Sequence, residues 1–106
     1  MYQYILVRSD LPKEHQVVQA SHAAIKAAKK FGHPEIHQNL VVCHVKDENE
    51  LIYWSRMLFG NDIDYQMFQE EDMNNQLTAL ATECLTREQG KIFKKLKLLK
   101  FNDLQK

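Results

Sequence analysis

The sequence is poor in the residues that build several kinds of functional site. Its 106 residues include only three glycines, two prolines and two cysteines, and its 14 basic side chains are balanced by 14 acidic ones. With so few glycines, the chain has no glycine-rich phosphate loop, and it also lacks the G-x-S-x-G turn of serine hydrolases. Domains that bind duplex DNA are usually clearly basic, so zero net charge argues against that class. A local basic patch for nucleic acid remains compatible with the composition.

Long hydrophobic runs are absent too. No stretch reaches the roughly 18 consecutive apolar residues of a transmembrane helix. The opening residues MYQYILVRSD have neither a basic leader nor a small-residue cleavage site, so we expect no signal peptide. Cys43 and Cys84 lie far apart in apolar runs, and we interpret them as reduced core residues. We therefore expect a cytoplasmic protein with a single domain over residues 1–106.

Metal ligands show no recognisable spacing. His33 and His37 are four residues apart, but Pro34 lies between them and no second ligand pair accompanies them. We expect no metal and no other cofactor.

The apolar pattern predicts alternating strands and helices. Short runs rich in β-branched and aromatic residues predict four strands. These are Tyr2–Arg8, Asn39–Lys46, Asp64–Gln69 and Gln76–Leu85. Helices are predicted over Lys13–Phe31, over residues 47–61 and over Thr86–Leu99, where Thr86 and Gln89 have capping-box spacing. The order β-α-β-α-β-β-α is typical of an α/β protein with helices on both faces of a mostly parallel sheet.

The first strand-to-helix junction is the predicted site, because α/β sheets bind ligands at the carboxyl ends of their strands. His15, Gln19, His22 and Lys26 follow the spacing i, i+4, i+7, i+11, which is one stripe of a helix. The helix dipole disfavours a charged His15, and a neutral imidazole can donate or accept a proton. Alternatively, Gln19 and His22 only hydrogen-bond neighbouring loops.

The apolar face of the same helix is expected elsewhere around the axis. It is assigned to Val17, Ala20, Ala24, Ala27 and Ala28. Small alanine side chains would let the helix lie close to the sheet.

A cluster of acids forms the second candidate. Glu70, Glu71 and Asp72 follow a predicted strand, and a polar turn leads on to Thr78. A carboxylate beside the cationic start of a helix could orient a water as a general base. The alternative is a solvated hairpin loop. If the first and fourth strands are adjacent, this turn should lie beside the start of the first helix.

Three sequence motifs resemble the peptidyl-tRNA hydrolase type 2 family. The segment "YILVRSDL" ends in the family's R-x-D-L pattern, and the helix segment "VVQASHAAI" follows it. In this helix, Gln19, His22 and Ala23 match the family's A-A-Q-x-x-H-A motif. Val17 and Val18 replace its two alanines. The run "LTALAT" is similar to the family's T-V-L-A-I-G-P strand, with Thr78 at its threonine. The resemblance extends from Tyr4 to about Leu99. It implies a three-layer α/β/α sandwich with a four-stranded mixed sheet in the order 2-1-4-3.

The sequence departs from the family pattern, and two of the departures fall on candidate site residues. The family lysine four residues before the glutamine is replaced by His15, and the nearest lysine is Lys13. The family's D-A-G-x-T turn is replaced by E-E-D-M-N-N-Q, so Glu70 or Asp72 stands in for the aspartate.

The resemblance implies hydrolysis of the ester between a peptide and the ribose of tRNA, without metal or cofactor, by a homodimer. Asp72 or Glu70 would orient the water, and His15 or Lys13 would stabilise the oxyanion or the leaving 3′-oxygen. Gln19 and Thr78 would hold the water or the ester carbonyl, with His22 in the same stripe. Three basic residues would contact tRNA phosphates, with affinity that falls as salt rises: Arg8, Lys26 and Lys30. Two alternatives stay open: a catalytically silent module of this fold that binds a small ligand or a protein, and a hydrolase of another type.

Overall fold

A computed structural model describes residues 1–32 and 39–98. The strands and helices follow one another as β1 (Tyr2–Arg8), α1 (Lys13–Phe31), β2 (Asn39–Val45), α2 (Glu48–Gly60), β3 (Tyr65–Glu70), β4 (Gln76–Thr82) and β5 (Lys97–Leu98). Two short 3-10 helices, Glu71–Met73 and Gln89–Phe93, precede β4 and β5. His33, Pro34 and His37 lie outside the described residues.

The strands form one mixed sheet in the order β3-β4-β1-β2-β5. The predicted order 2-1-4-3 is confirmed, and β5 is added outside β2. Only β1 and β2 run parallel, from Tyr2 opposite Asn39 to Arg8 opposite Val45, while the other described pairs are antiparallel. As a result, the ends of β1, β2 and β3 and the start of β4 share one edge of the sheet, here called the site edge.

A helix covers each face of the sheet, so the predicted three-layer arrangement is confirmed. Ala20, Ala23 and Ala27 of α1 pack on Ile5, Val7, Ala79 and Ala81. On the opposite face, α2 contributes Leu51, Trp54 and Leu58 to a core with Leu6, Val45, Ile63, Leu80, Leu85 and Phe93. The alanines of α1 and β4 bring the helix close to the sheet, and larger side chains fill the layer beneath α2.

The last predicted helix is the main correction. The segment Thr86–Leu99 was expected to be an α-helix, but its described part forms the 3-10 helix Gln89–Phe93 and then β5. The capping box itself exists, since Thr86 N donates to Gln89 Oε1 (2.9 Å) and Gln89 N to Thr86 Oγ1 (3.2 Å). Residues Lys97 and Leu98 pair with the end of β2 as β5, which requires an extended rather than a helical backbone. Tertiary contacts therefore outweigh local helix signals here.

The buried face of α1 is also rotated from the predicted one. Its buried residues are Gln16, Gln19, Ala20, Ala23 and Ala27. Val17 is 47% exposed and Ala24 is half-buried. The assignment of Val17 to the apolar face was wrong, because two glutamines with polar partners occupy buried positions near the start of the helix.

In the described part of the chain, no helix is long and apolar enough to cross a membrane.

Candidate functional site

A chain of two hydrogen bonds crosses from β4 through α1 to the end of β3. Thr78 Oγ1 donates to Gln19 Oε1 (2.7 Å), and Gln19 Nε2 donates to Glu70 Oε1 (2.8 Å). Thr78 is fully buried and Gln19 is 4% exposed. An ionised carboxylate only accepts hydrogen bonds, so the Glu70 contact fixes which end of the Gln19 amide faces each partner. The arrangement holds one Glu70 oxygen, and no described residue bonds to the other.

A β-bulge in β4 aims Thr78 at α1. Phe68 pairs with Ala79 and the following Gln69 pairs with Leu77, so Thr78 has no partner residue on β3. Regular alternation would place Thr78 on the face opposite Ala79, which packs under α1. The bulge breaks this alternation and lets Thr78 reach Gln19.

The turn after β3 holds the acidic residues at the site edge. Asn74 and Asn75 both have positive φ, 54° and 60°, a conformation that asparagine tolerates better than most residues. Asn75 N donates to Glu70 O (3.0 Å) and closes the turn. Glu70 is half-buried, whereas Glu71 and Asp72 are exposed.

A cavity of about 280 Å³ opens beside this hydrogen-bond chain, between the start of α1 and the turn. It is lined by His15, Val18, Gln19, Glu70, Asp72 and Met73. The structure therefore brings together four of the residues singled out in the sequence, with Thr78 directly behind Gln19. Glu71 is not part of the lining.

Two predicted site residues lie away from this cavity. The His22 ring is exposed and stacks on Phe68, with ring centroids 4.7 Å apart and 11° between planes. Lys13, the first residue of α1, is exposed and does not line the cavity. Of the two candidates for the role of the family lysine, only His15 lines the cavity.

The expected phosphate contact of Arg8 does not fit its surroundings. Arg8 is 7% exposed, and its guanidinium donates two hydrogen bonds to Asp10, one to Gln76 Oε1 and one to Leu77 O. The bond to Arg8 lowers the pKa of Asp10, and the bond to Asp10 raises the pKa of Arg8. Arg8 thus ties the start of β4 to the end of β1 and has a structural position next to Thr78.

The other two predicted phosphate contacts lie further along α1. Lys26 is exposed, and its Nζ donates to Met67 O (3.0 Å). Seven residues separate it from Gln19, which is about 10 Å along a helix. Lys30 is exposed one turn beyond. Neither side chain lines the cavity at Gln19.

A second buried glutamine was missed in the sequence. Gln16 Nε2 donates to Leu11 O (2.7 Å), so its Oε1 faces His44 Nε2 at 2.6 Å, and His44 carries a proton on that nitrogen. Burial lowers the pKa of His44. The signal was available, because Gln16 lies three residues before Gln19 and hence on the same helix face.

Within residues 1–32 and 39–98, no group of three or more His, Cys, Asp or Glu side chains is arranged to hold a metal ion.

Comparison with known proteins agrees with this architecture. Residues 1–99 match the family model described as peptidyl-tRNA hydrolase PTH2, and the chain belongs to that family. No curated protein sequence matches the chain. A solved structure of a protein of unknown function from Agrobacterium tumefaciens strain C58 is similar with a TM-score of 0.69, covering 93% of this chain and 97% of that one. Its identity of 16% shows a shared fold alone.

Proposed function

We propose that this protein hydrolyses the ester bond of peptidyl-tRNA in the cavity beside Gln19. Family membership supports a tRNA-linked substrate. The observation that carries the proposal is the Glu70 carboxylate, held by a buried amide at the wall of a cavity that also contains His15. The volume of about 280 Å³ suits the reacting end of the substrate rather than the whole tRNA.

Glu70 is the proposed general base. Its Oε1 accepts from Gln19, so Oε2 is left to accept a proton from water. The activated water attacks the ester carbonyl carbon, and the carbonyl oxygen becomes an oxyanion. Collapse of this intermediate breaks the bond to the ribose 3′-oxygen, which leaves with a proton. Thr78 and Gln19 act as positioning residues, because the Gln19 amide is bonded at one end to Thr78 and at the other to Glu70.

His15 is proposed to stabilise the oxyanion or to protonate the leaving oxygen. It stands in the first turn of α1, where the helix dipole adds positive potential that favours a developing negative charge. Val18 and Met73 form an apolar part of the wall, suited to a side chain of the peptide part of the substrate. Asp72 lines the same cavity and is the alternative base.

The competing function is a binding module that uses the same cleft without turnover, and His15 at the family's lysine position favours it. Release of an N-blocked amino acid from tRNA by the pure protein, against a blank and an authentic hydrolase, separates the two. We expect release well above the blank. Binding of tRNA without release would contradict hydrolysis and support the binding module.

Three substitutions test the role of the His15 position. His15→Ala should lower the hydrolysis rate by about 10²-fold, the usual scale for losing an acid–base partner. His15→Lys restores the cation of the family pattern and should keep at least the wild-type rate. Lys13→Ala is the matched control on the same exposed turn and should change the rate little. Equal losses in His15→Ala and Lys13→Ala would contradict the role given to His15.

A further inference from the structure

A second cavity of about 290 Å³ opens at the site edge, on the other side of the start of α1. It is lined by Ser9, His44, Val45, Lys46, Glu50, Lys95 and Leu96. None of these residues lines the cavity at Gln19. The sequence motifs of the family did not single out any of them.

The strand ends explain why these residues meet. Arg8 and Val45 are the last paired residues of β1 and β2, and Ser9 N donates to Val45 O (2.8 Å) just beyond them. Because β5 runs antiparallel to β2, the residues before β5 lie beside the end of β2. This brings Lys95 next to Lys46, although 49 positions separate them in the sequence.

The lining carries a net positive charge, from two lysines and one glutamate. Among the described residues, neither Lys46 nor Lys95 forms an ion pair, whereas nearby Lys91 pairs with Glu88 at 2.9 Å. Ser9 adds a hydroxyl donor to the lining. The only carboxylate of the lining is Glu50, whose Oε1 accepts from Lys46 N (2.9 Å). Two unpaired ammonium groups and a hydroxyl donor match the needs of a phosphate group.

Two buried glutamines of α1 each bond to a residue that lines one of the two cavities. Gln16 bonds to His44 in the second cavity, and Gln19 bonds to Glu70 in the first. They are three residues apart on one face of α1, so both cavities lie beside the same stretch of this helix. Both cavities also open at the site edge, where an RNA strand with its 3′ end in the first would run past the strand ends that line the second.

We propose that the second cavity is a phosphate subsite for a backbone phosphodiester of the bound RNA, held by Lys46 and Lys95. The assignment rests on the proposed function, because a tRNA-linked substrate brings the phosphate to this edge. Glu50 limits the affinity of the subsite by repulsion.

The test is equilibrium binding of deacylated tRNA to the whole protein over a range of salt concentrations. Lys46→Gln and Lys95→Gln should each weaken binding by about five-fold and lower the slope of log affinity against log salt by roughly 0.7–1. Lys91→Gln removes the same charge outside the cavity and should change neither quantity. Glu50→Gln should tighten binding, since the amide oxygen can still accept from Lys46 N while the negative charge is lost.

Equal affinities for Lys91→Gln and the two cavity variants would overturn the subsite. So would a result in which inorganic phosphate shifts the His44 resonances but the cavity lysines leave tRNA affinity unchanged, because the cavity would then serve a small anion. The binding and hydrolysis measurements test the subsite and the proposed function independently. Cavity-dependent tRNA binding without ester hydrolysis keeps the subsite and refutes the proposed function, and hydrolysis with tRNA affinity independent of the lysines does the reverse.

Discussion

At the scale of single residues, Gln16 and Gln19 fix the position of α1 on the sheet. Gln16 bonds to His44 on β2, and Gln19 bonds to Thr78 on β4 and to Glu70 on β3. A buried polar group left without a partner costs about 1–3 kcal/mol. In the described part of the chain, every fully buried side-chain nitrogen or oxygen has a partner. A shifted or rotated helix would lose these bonds, so the glutamines select one placement.

Of the three glycines, only Gly90 lies where an added β-carbon would contact another residue. A β-carbon at this position would lie 2.5 Å from Tyr4 Oη, and the Tyr4 ring is held by stacking on Phe93 at 4.4 Å. Gly90→Ala should lower the free energy of unfolding by about 1–3 kcal/mol, the usual cost of overpacking. Gly60→Ala is the matched control, since a β-carbon there meets no atom within 4 Å. Urea unfolding curves measure both, and equal stability of the two variants would contradict the close approach at Gly90.

At the scale of elements, the phase of α1 can be tested with two neighbouring alanines. Ala23 is fully buried beneath the helix, and Ala24 is half-buried at the side. Ala23→Leu should destabilise the protein by about 1–3 kcal/mol, and Ala24→Leu by less, because its side chain can turn toward solvent. Thermal unfolding compares them directly. A larger loss of stability in Ala24→Leu than in Ala23→Leu would support the apolar face predicted from the sequence instead.

Most of the helices and strands could be predicted from the sequence. β1 and α1 were predicted with the bounds they have, because a short apolar run followed by Pro12 and an alanine-rich segment leaves little choice. The strand order came from the family resemblance rather than from periodicity, which had suggested a mostly parallel sheet. The 3-10 helix near Gly90 could not be predicted from the sequence, because long-range contacts with Tyr4 and β2 determine the conformation of this segment.

The candidate site could be predicted from the sequence in part. The i, i+4 spacing correctly placed His15 and Gln19 together on α1, and strand adjacency brought the acidic turn beside them. Which acid contacts Gln19 depends on the turn geometry after β3, and Thr78 reaches the helix only through a bulge. Neither feature has a signature in one sequence. Arg8 looked like a free cation because its partners Gln76 and Leu77 are distant along the chain.

At the scale of the whole molecule, stability should depend on pH through His44. Burial lowers the pKa of His44 in the folded protein below its ordinary value near 6.5. As pH falls through that value, the unfolded chain takes up the proton first, so the folded state loses stability. The free energy of unfolding should therefore fall more steeply from pH 7 to pH 5 in wild type than in His44→Gln, whose amide can still donate to Gln16. Parallel curves from urea unfolding would contradict this role.

The proposal as a whole depends on Glu70 as the base of an ester hydrolase. The most direct measurement is the single-turnover rate of N-blocked aminoacyl-tRNA hydrolysis by Glu70→Gln, compared with Glu71→Gln and Asp72→Asn. We expect Glu70→Gln to lose about 10²-fold or more with its unfolding curve nearly unchanged, because glutamine can still accept from Gln19 but cannot take a proton from water. Glu71 is exposed and outside the cavity, so Glu71→Gln should match wild type. A wild-type rate for Glu70→Gln, or the largest loss in Asp72→Asn, would contradict the assignment.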